Sequence, residues 1–523
     1  MSRKHMAGSS DVDENLSALL TNANAVRAIA SAVEGTLGSK GLDTMLVDRF
    51  GETVITNDGI TILNTMQVKH PAARLVINTA QAQEEVVGDG TTTATIMAGA
   101  LLTEGVNQAL KGVPVTQIIA GLIDGVERAI EILKRDTLRV EGLDDPLLGH
   151  VALIAGRMRT DIADLVLEAA RLVGPDKLRD PAFKLADAVL SQEGADNEVF
   201  SGIIVEKEPL NDQMPSELQG QVSILVVDDA LEPEEMEEEA LATEAGFKKY
   251  LKTREEFTDN LYRLVDMGIG MVVVDRGVSD IAEEILTDGG IMVLKRVSSL
   301  DLGRLAEHVG ARPVKRTALK RSQGDLLKCL GTAETVVHME QLKQVRVMGG
   351  HGKSMATVLV GASTGEVVDE RSRIARDAAG AVQAAFQGGV VSGGGTAELA
   401  ASGELLQSRS ELRGMTGYGF DCVIEALKRP FCQIVDNAGF NSLEKMEEVI
   451  AAQVQNNSSR LGIDCEDGQI RDMVELGVVD PLPVKTYALR AAGEIAEAIL
   501  RINTIIRARE EEGPEMTGGA TGL

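Results

Sequence analysis

The chain has 523 residues, 44% of them hydrophobic and only 2% aromatic, which suggests about three domains with large aliphatic cores. Its 52 basic and 80 acidic residues give a formal net charge of −28, so nucleic acid and anionic membrane surfaces are poor partners. Its four cysteines form no CxxC pair and no apolar run of about 18 residues occurs, so we expect a cytoplasmic protein without zinc site, disulfides or membrane span.

The first part of the chain predicts packed helices and one small pair of strands. Apolar positions recur at helical spacing over 16–35, after 15 polar residues that we expect to be loose. Two strands are predicted at 44–47 and 53–56, around a Gly51-Glu52 turn. Further helices are predicted over 71–87, with proline in the first turn, from 91 towards 105, and over 115–133.

The phrase Gly88–Thr93 (GDGTTT) lies between two of these helices and offers the chemistry of a polyphosphate site. Glycines on both sides of Asp89 let the backbone approach a ligand closely. The threonines enter a helix whose free N–H groups suit phosphate oxygens, and Asp89 could hold a Mg²⁺ that bridges them. The alternative is an interhelical turn with threonine caps.

Two other glycine-containing phrases are weaker. Asn57, Asp58 and Gly59 follow a strand and precede a helix, where Asp58 is a candidate catalytic acid or the centre of an Asx turn. Thr36–Gly41 (TLGSKG) ends the first helix, and by itself it is an ordinary C-terminal cap.

The middle of the chain predicts an α/β layer. Short apolar strands at 222–227, 271–274, 291–294 and 313–314 alternate with helix-like runs from 260, 280 and 301. The acidic segment 232–256 is helical in composition, so it is either a solvated helix face or a protrusion that meets symmetry mates.

Two motifs in this middle region imitate known sites. Asp228, Asp275 and Lys315 resemble the site of a phospho-receiver domain. However, the spacing is too short for the helices and strands required, and the second strand is missing. We therefore prefer the interpretation that these residues only mark the ends of buried strands. Gly352-Lys353-Ser354 imitates a P-loop ending, yet Val347 stands where the first glycine is required. We predict a hairpin tip there, between strands at 345–348 and 357–360.

Helices return after residue 370, at 371–386, 421–438, 443–455 and 486–507. Asp377 falls on the apolar stripe of the first of them, and a buried carboxylate needs a partner. That partner is either Arg373, at i−4, or a water or metal that Asp377 meets when another domain closes. The glycines Gly393–Gly395 would let the backbone approach a ligand closely, and Asp480 places an acid at a turn.

Together these phrases resemble the chaperonin family, and most closely its thermosome-like group II type or the bacterial group III branch. The resemblance covers nearly the whole chain and rests on six collinear stretches, namely Thr36–Gly41, Thr56–Leu63, His70–Ala73, Gly88–Thr93, Gly393–Glu398 and Gly477–Ala488. It implies a multidomain fold of α+β and α/β type. The mostly helical equatorial ATPase domain would comprise 1–142 and 402–523, the intermediate hinge domain 143–207 and 363–401, and the α/β apical domain 208–362, with a helical lid near 232–256.

The resemblance also implies roles for residues. Asp89 would ligate Mg²⁺, Asp377 would orient the attacking water, and Asp58 would lie beside the phosphate. The other implied nucleotide contacts are Thr36, Leu37, Gly38, Ser39, Asn57, Gly59, Gly90, Thr91, Thr92, Thr93, Arg157, Gly394 and Asp480. Two positions depart from the family pattern: Ser39 replaces a proline, and Arg157 replaces a lysine that senses the terminal phosphate.

The implied function is an ATP hydrolase that encloses unfolded or partly folded proteins in a chamber of two stacked rings, with about 16 identical subunits. A built-in lid implies no separate co-chaperonin. Two alternatives stay open at this point: a receiver-like signalling protein, and a ring scaffold that assembles without turning over ATP.

Overall fold

The computed structural model describes residues 7–47, 51, 53–234 and 243–504, with side chains from residue 17 onward. The α-helices in chain order are α1 Ala7–Val33, α2 Gly59–Thr65, α3 Pro71–Val87, α4 Thr91–Leu110, α5 Val115–Arg135, α6 Pro146–Ala155, α7 Thr160–Val173, α8 Pro175–Leu178, α9 Glu244–Asp266, α10 Asp280–Asp288, α11 Ser299–Val309, α12 Gln323–Leu327, α13 Gly365–Gly388, α14 Thr396–Ser408, α15 Thr416–Asn437, α16 Ser442–Asn456 and α17 Leu482–Leu500. The strands are β1 Thr44–Val47, β2 Thr53–Thr56, β3 Val189–Glu193, β4 Glu198–Val205, β5 Glu217–Val227, β6 Ile269–Val274, β7 Met292–Leu294, β8 Gly331–Met339, β9 Gln344–Met348, β10 Ala356–Ala362, β11 Val390–Ser392, β12 Leu461–Ile463, β13 Ile470–Asp472 and β14 Val479–Pro481.

The described residues divide into two compact units. The first draws on Met1–Thr137, Val391–Val478 and Leu482–Leu523, and the second on Leu138–Val390 and Val479–Pro481. The first unit is therefore built from both ends of the chain. The finer division into equatorial, intermediate and apical domains remains a prediction.

The core of the first unit is a helix bundle of α1, α3, α4, α5, α15 and α17. The apolar stripe predicted on α5 is buried there, and Phe420 of α15 packs in the same cluster. Small residues let two of these helices approach closely: a Cβ on Gly121 would overlap the Thr416 carbonyl oxygen, and one on Gly419 would overlap that of Ile118. Substituting either glycine would force α5 and α15 apart.

A hairpin of β1 and β2 also belongs to the first unit, as predicted. The strands pair antiparallel, with Thr44 opposite Thr56 and Met45 opposite Ile55. Met45, Val47 and Ile55 are 61%, 62% and 56% exposed. The hairpin thus presents an apolar strip that nothing in the described chain covers.

The second unit contains an eight-stranded sheet in the order β3-β10-β4-β9-β8-β5-β6-β7. Strands β5, β6 and β7 are parallel, which confirms the predicted α/β layer. Both faces of these strands are buried, because alternate residues enter different clusters: Ile224 and Val226 lie in one, and Leu225 and Val227 in the other. That double burial explains why the strands read as continuous apolar runs.

The hairpin predicted around Gly352 is wrong. Strand β4 lies between β9 and β10: Gly202 pairs with Met348 of β9, and Ser201 pairs with Ala356 of β10. Local alternation identifies a strand but does not reveal a partner that lies about 150 residues away in the chain.

The predicted helices are present, with ends that differ from the prediction, whereas α6, α7 and α14 lie where no helix was predicted. The prediction of a loose N-terminus is wrong from residue 7 onward, where α1 begins. Part of the acidic segment forms α9, while 235–242 lie outside the described residues. No helix in the described ranges has the length and apolar character needed to cross a bilayer.

Candidate functional site

The loop between α3 and α4 is a pair of left-handed glycines around Asp89. α3 ends where Gly88, at φ +74°, donates its N–H to the Glu84 carbonyl oxygen at 2.9 Å. Gly90 has φ +84° and donates its N–H to Asp89 Oδ1 at 2.5 Å. Two consecutive turns of this kind need residues without a Cβ, which is the role of both glycines.

The N-terminus of α4 follows directly. Its N-cap is Gly90, which provides no side-chain hydrogen bond, and the three threonines form the first turn. The alternative of a threonine cap is therefore wrong. The first-turn N–H groups of a helix have no acceptor within it, so this end of α4 offers donors and a positive dipole to an anion.

Asp58 caps the neighbouring helix α2. Its Oδ1 accepts the N–H of Ile60 at 3.3 Å, and its Oδ2 accepts both the N–H and the hydroxyl of Thr61, at 3.2 and 2.6 Å. The Asx-type interpretation of Asp58 is thus confirmed. Beside it, Asn57 Oδ1 is buried without a hydrogen-bond partner among the described residues.

The structure brings the Asp58 and Asp89 loops together. A Cβ on Gly59 would overlap Thr92 Oγ1 and lie 3.2 Å from Thr91 Oγ1. Glu84 of α3 is within electrostatic reach of both loops. Its pKa rises from 4.5 to about 7 because the carboxyl is buried and because Asp58 and Asp89 add negative charge nearby. Three carboxylates therefore concentrate negative charge beside the N-terminus of α4.

The loop 36–41 is held by two other segments of the first unit. Asn437 Nδ2 donates to the carbonyl oxygens of Glu34 and Leu37, at 2.9 and 2.8 Å. Gly38 has φ +90°, and Ser39 shares a hydrogen bond with Cys465. Ser39, at the position where the resemblance implies a proline, is thus tied by its side chain.

A second glycine loop precedes α14. Gly394 and Gly395 have φ of +65° and +74°, and Gly393 donates its N–H to the Val478 carbonyl oxygen at 2.9 Å. Asp480 follows Val478 by two residues and lies half-buried in β14. Positive φ favours glycine at both positions, and the close approach of this backbone to a ligand stays a prediction.

Arg157 lies in the second unit, on a turn after α6. It forms an ion pair with Glu370, whose other oxygen accepts from Arg373 Nη2 at 2.9 Å. Arg157 and Met158 both have positive φ, 53° and 60°. Two consecutive non-glycine residues in this region store strain, which is typical of functional turns.

Asp377 lies half-buried on α13, next to the buried Ile374 and Ala378, as the apolar stripe predicted. Arg373, the partner that its spacing suggested, hydrogen-bonds Glu370 with Nε and Nη2. Asp377 belongs to the second unit, whereas Asp58 and Asp89 belong to the first.

Sequence reasoning missed Glu84 and Glu370. Glu84 lies one helical turn before the end of α3. Its position just before GDGTTT could have indicated that it belongs to the same site. Glu370 pairs with a residue 213 positions away, so no local pattern reveals the contact.

The carboxylates of the first unit fit a divalent cation. Burial raises the pKa of Glu84, and the negative charges of Asp58 and Asp89 nearby raise it further. No preformed cage of three or more metal-ligating side chains exists in the described part of the chain. Mg²⁺ typically takes one or two carboxylates and completes its shell with water and phosphate oxygens.

Comparisons with known proteins identify the family of this chain. Residues 29–510 match the TCP-1/cpn60 chaperonin family. A thermosome subunit from Pyrococcus abyssi is 33% identical over 523 residues, covering 95% of this chain and 93% of that protein. A thermosome subunit beta from Methanothermobacter thermautotrophicus is 32% identical over 528 residues, covering 96% and 95%. The crystal structure of a group III chaperonin in the open state has a TM-score of 0.85 and 48% identity, covering 95% of this chain and 100% of that one.

Proposed function

The chain belongs to the TCP-1/cpn60 chaperonin family, and we infer that it works as an ATP-dependent chaperonin that couples ATP hydrolysis to protein folding. The observation that carries this inference is the meeting of the Asp58 and Asp89 loops at the N-terminus of α4. Carboxylates for a cation and helix donors for an anion lie side by side there, which suits a magnesium-bound polyphosphate.

Within this site we assign the metal to Asp89 and the phosphates to Thr91, Thr92, Thr93 and the loop 36–41. Bound Mg²⁺ would neutralise the phosphate charge. Asn57, Gly59 and Gly90 shape the phosphate side, and Gly394 and Asp480 line the nucleoside. Asp58 caps the N-terminus of α2 with both carboxylate oxygens. We therefore assign it the role of fixing the loop beside the phosphate.

Hydrolysis also needs a group that orients water, and we assign this role to Asp377. It lies half-buried on the apolar stripe of α13, and a positioned carboxylate can accept a proton from the attacking water. Arg157 is the candidate sensor of the terminal phosphate. Its ion pair with Glu370 gives it a resting position on a strained turn.

Capture of unfolded or partly folded protein requires exposed apolar surface. In the predicted apical segment, Phe247 and Leu251 of α9 are 51% and 48% exposed, and the Phe247 ring stacks near Tyr250 with centroids 6.4 Å apart. We assign client binding to this part of α9. The segment 232–256, which includes both residues, would also serve as a built-in lid, so that no separate co-chaperonin is needed.

Members of this family form ring oligomers, and we propose two stacked rings of about 16 copies in total. The 48% identity to a group III chaperonin favours that branch over group II. All four cysteines carry free thiols, which supports a cytoplasmic location.

The test is to purify the full chain, measure ATP hydrolysis and image it by negative stain with and without nucleotide. The proposal expects rings, Mg²⁺-dependent ATPase activity and ATP-dependent refolding of a denatured client. Asp89→Ala should weaken Mg-ATP binding, whereas Glu127→Ala, at an exposed position on α5, should not. Rings without ATPase activity would support the scaffold alternative, and unchanged nucleotide affinity in Asp89→Ala would remove its metal role.

A further inference from the structure

Gln83 places a fully buried amide beneath the Asp89 loop. Its side chain is 0% exposed, although glutamine is among the residues that rarely lie inside a protein. Nε2 donates to the Asp89 carbonyl oxygen at 2.7 Å and to the Val484 carbonyl oxygen at 3.3 Å. One side chain therefore joins the end of α3, the Asp89 loop and the first turn of α17, all within the first unit.

The backbone of the loop rests directly on this amide. A Cβ on Gly90 would lie 2.9 Å from Gln83 Nε2 and 2.6 Å from Val484 Cγ1. The height of the loop above α3 is thus set by Gln83 and Val484. Since the Asp89 carboxylate is bonded to the N–H of Gly90, the direction of the carboxylate follows the position of this backbone.

The α17 end of the contact is itself fixed. Lys485, next to Val484, forms an ion pair with Glu398 at 2.8 Å, and both side chains are buried. Glu398 lies in the first turn of α14, directly after the Gly393–Gly395 loop. A chain of buried polar contacts therefore runs from the glycine loop through α17 and Gln83 to Asp89.

We propose that Gln83 is a positioning residue, whose amide holds the Asp89 carboxylate in place for the magnesium-bound nucleotide. This rests on the proposed function, in which Asp89 is the metal ligand. Gln83 does not contact the ligand in this assignment; it acts through the backbone carbonyl of Asp89. Mutation of a residue that hydrogen-bonds to a metal ligand typically lowers metal affinity or activity by about 10–100-fold.

The experiment compares Gln83→Leu with Gln81→Leu in the assembled full-length protein. Leucine fills a similar volume without a donor, and Gln81 lies on the same helix but is exposed and bonded to Asn64 Oδ1 at 2.7 Å. For Gln83→Leu we expect the KM for Mg-ATP and the Mg²⁺ concentration for half-maximal hydrolysis to rise about tenfold, with kcat changed less. Calorimetric binding of Mg-ADP should weaken by a similar factor, and Gln81→Leu should match wild type in all three.

Gln83→Glu is a second variant that keeps the shape but sets an oxygen against two carbonyl oxygens, so it should be impaired at least as much. Folded rings of Gln83→Leu with wild-type KM and Mg-ADP affinity would overturn the proposal, even if their melting temperature falls. Failure of both variants to assemble, while Gln81→Leu assembles, would show a structural glutamine and overturn it too. Wild-type affinity in Asp89→Ala would instead refute the proposed function of the loop.

Discussion

Gly59 and Thr92 lie so close that the two loops of the candidate site cannot move independently. A Cβ at position 59 would overlap the Thr92 hydroxyl oxygen, and the Thr91 hydroxyl lies 3.2 Å away. Two phrases that are 30 residues apart in the sequence therefore form one surface at the N-terminus of α4.

Gly59→Ala should displace the Thr92 hydroxyl and raise the KM for Mg-ATP about tenfold, which corresponds to about 1.4 kcal/mol. Adding Thr92→Ser should recover part of the loss, because serine has more rotamers open to it than β-branched threonine. The control is Gly403→Ala on α14, where an added Cβ meets nothing within 4 Å. Steady-state kinetics of Gly59→Ala, Gly59→Ala/Thr92→Ser and Gly403→Ala test this prediction. An unchanged KM in Gly59→Ala would show that Thr92 can shift without cost.

Asp377→Ala should bind ATP with nearly normal affinity and hydrolyse it on the order of 10²–10⁴-fold more slowly, because water would lose its base. Single-turnover hydrolysis and equilibrium nucleotide binding separate the two effects. Asp369→Ala, at an exposed position on the same helix, is the matched control and should behave as wild type. Wild-type turnover in Asp377→Ala would remove the assignment.

Glu84 should make stability depend on pH. Its pKa is about 7 in the folded chain against 4.5 ordinarily, so the folded state binds the proton more tightly. Without Mg²⁺, the contribution of Glu84 to the free energy of unfolding is fully present below about pH 4.5. It is lost as pH rises to about 7, by up to about 3 kcal/mol. Melting temperatures of wild type and Glu84→Gln from pH 5 to 8 test this. Glu84→Gln should flatten the profile, and parallel profiles would contradict it.

Lys485→Met should destabilise the first unit by about 3–5 kcal/mol, because it leaves the buried Glu398 carboxylate without its ion-pair partner. The double variant Lys485→Met/Glu398→Leu should recover most of this. Lys445 and Glu448 form a more exposed pair at the same 2.8 Å, so Lys445→Met should cost less than about 1 kcal/mol. Denaturant unfolding measures all three, and a double variant as unstable as the single one would show that the ion pair is not the cause.

Local signals predicted much of the helical architecture and only part of the site. Pro71 and Gly88 mark the two ends of α3 because a helix start tolerates proline and a left-handed cap favours glycine. The placement of β4 between β9 and β10 and the pairing of Arg157 with Glu370 depend on segments far apart in the sequence. Such contacts are decided by global packing, which no window of residues contains.

The same limit applies to charge. The sequence predicts Asp58 and Asp89 as site residues from glycine-rich phrases, yet both of them raise the pKa of Glu84, which sits in an ordinary helical pattern. Its pKa depends on burial and on neighbours brought there by the fold.

The use of both chain ends in the first unit has a consequence for biosynthesis. Helices α1 and α3–α5 leave the ribosome early, but their core also needs α15 and α17, which end at Asn437 and Leu500. The sheet of the second unit is complete once Ala362 has emerged. At translation rates of about 5–20 residues per second, the N-terminal helices wait roughly 20 seconds or more for their C-terminal partners. This nascent chain therefore exposes apolar helix faces while its middle is already folded, which makes it a demanding client for chaperones that act during translation.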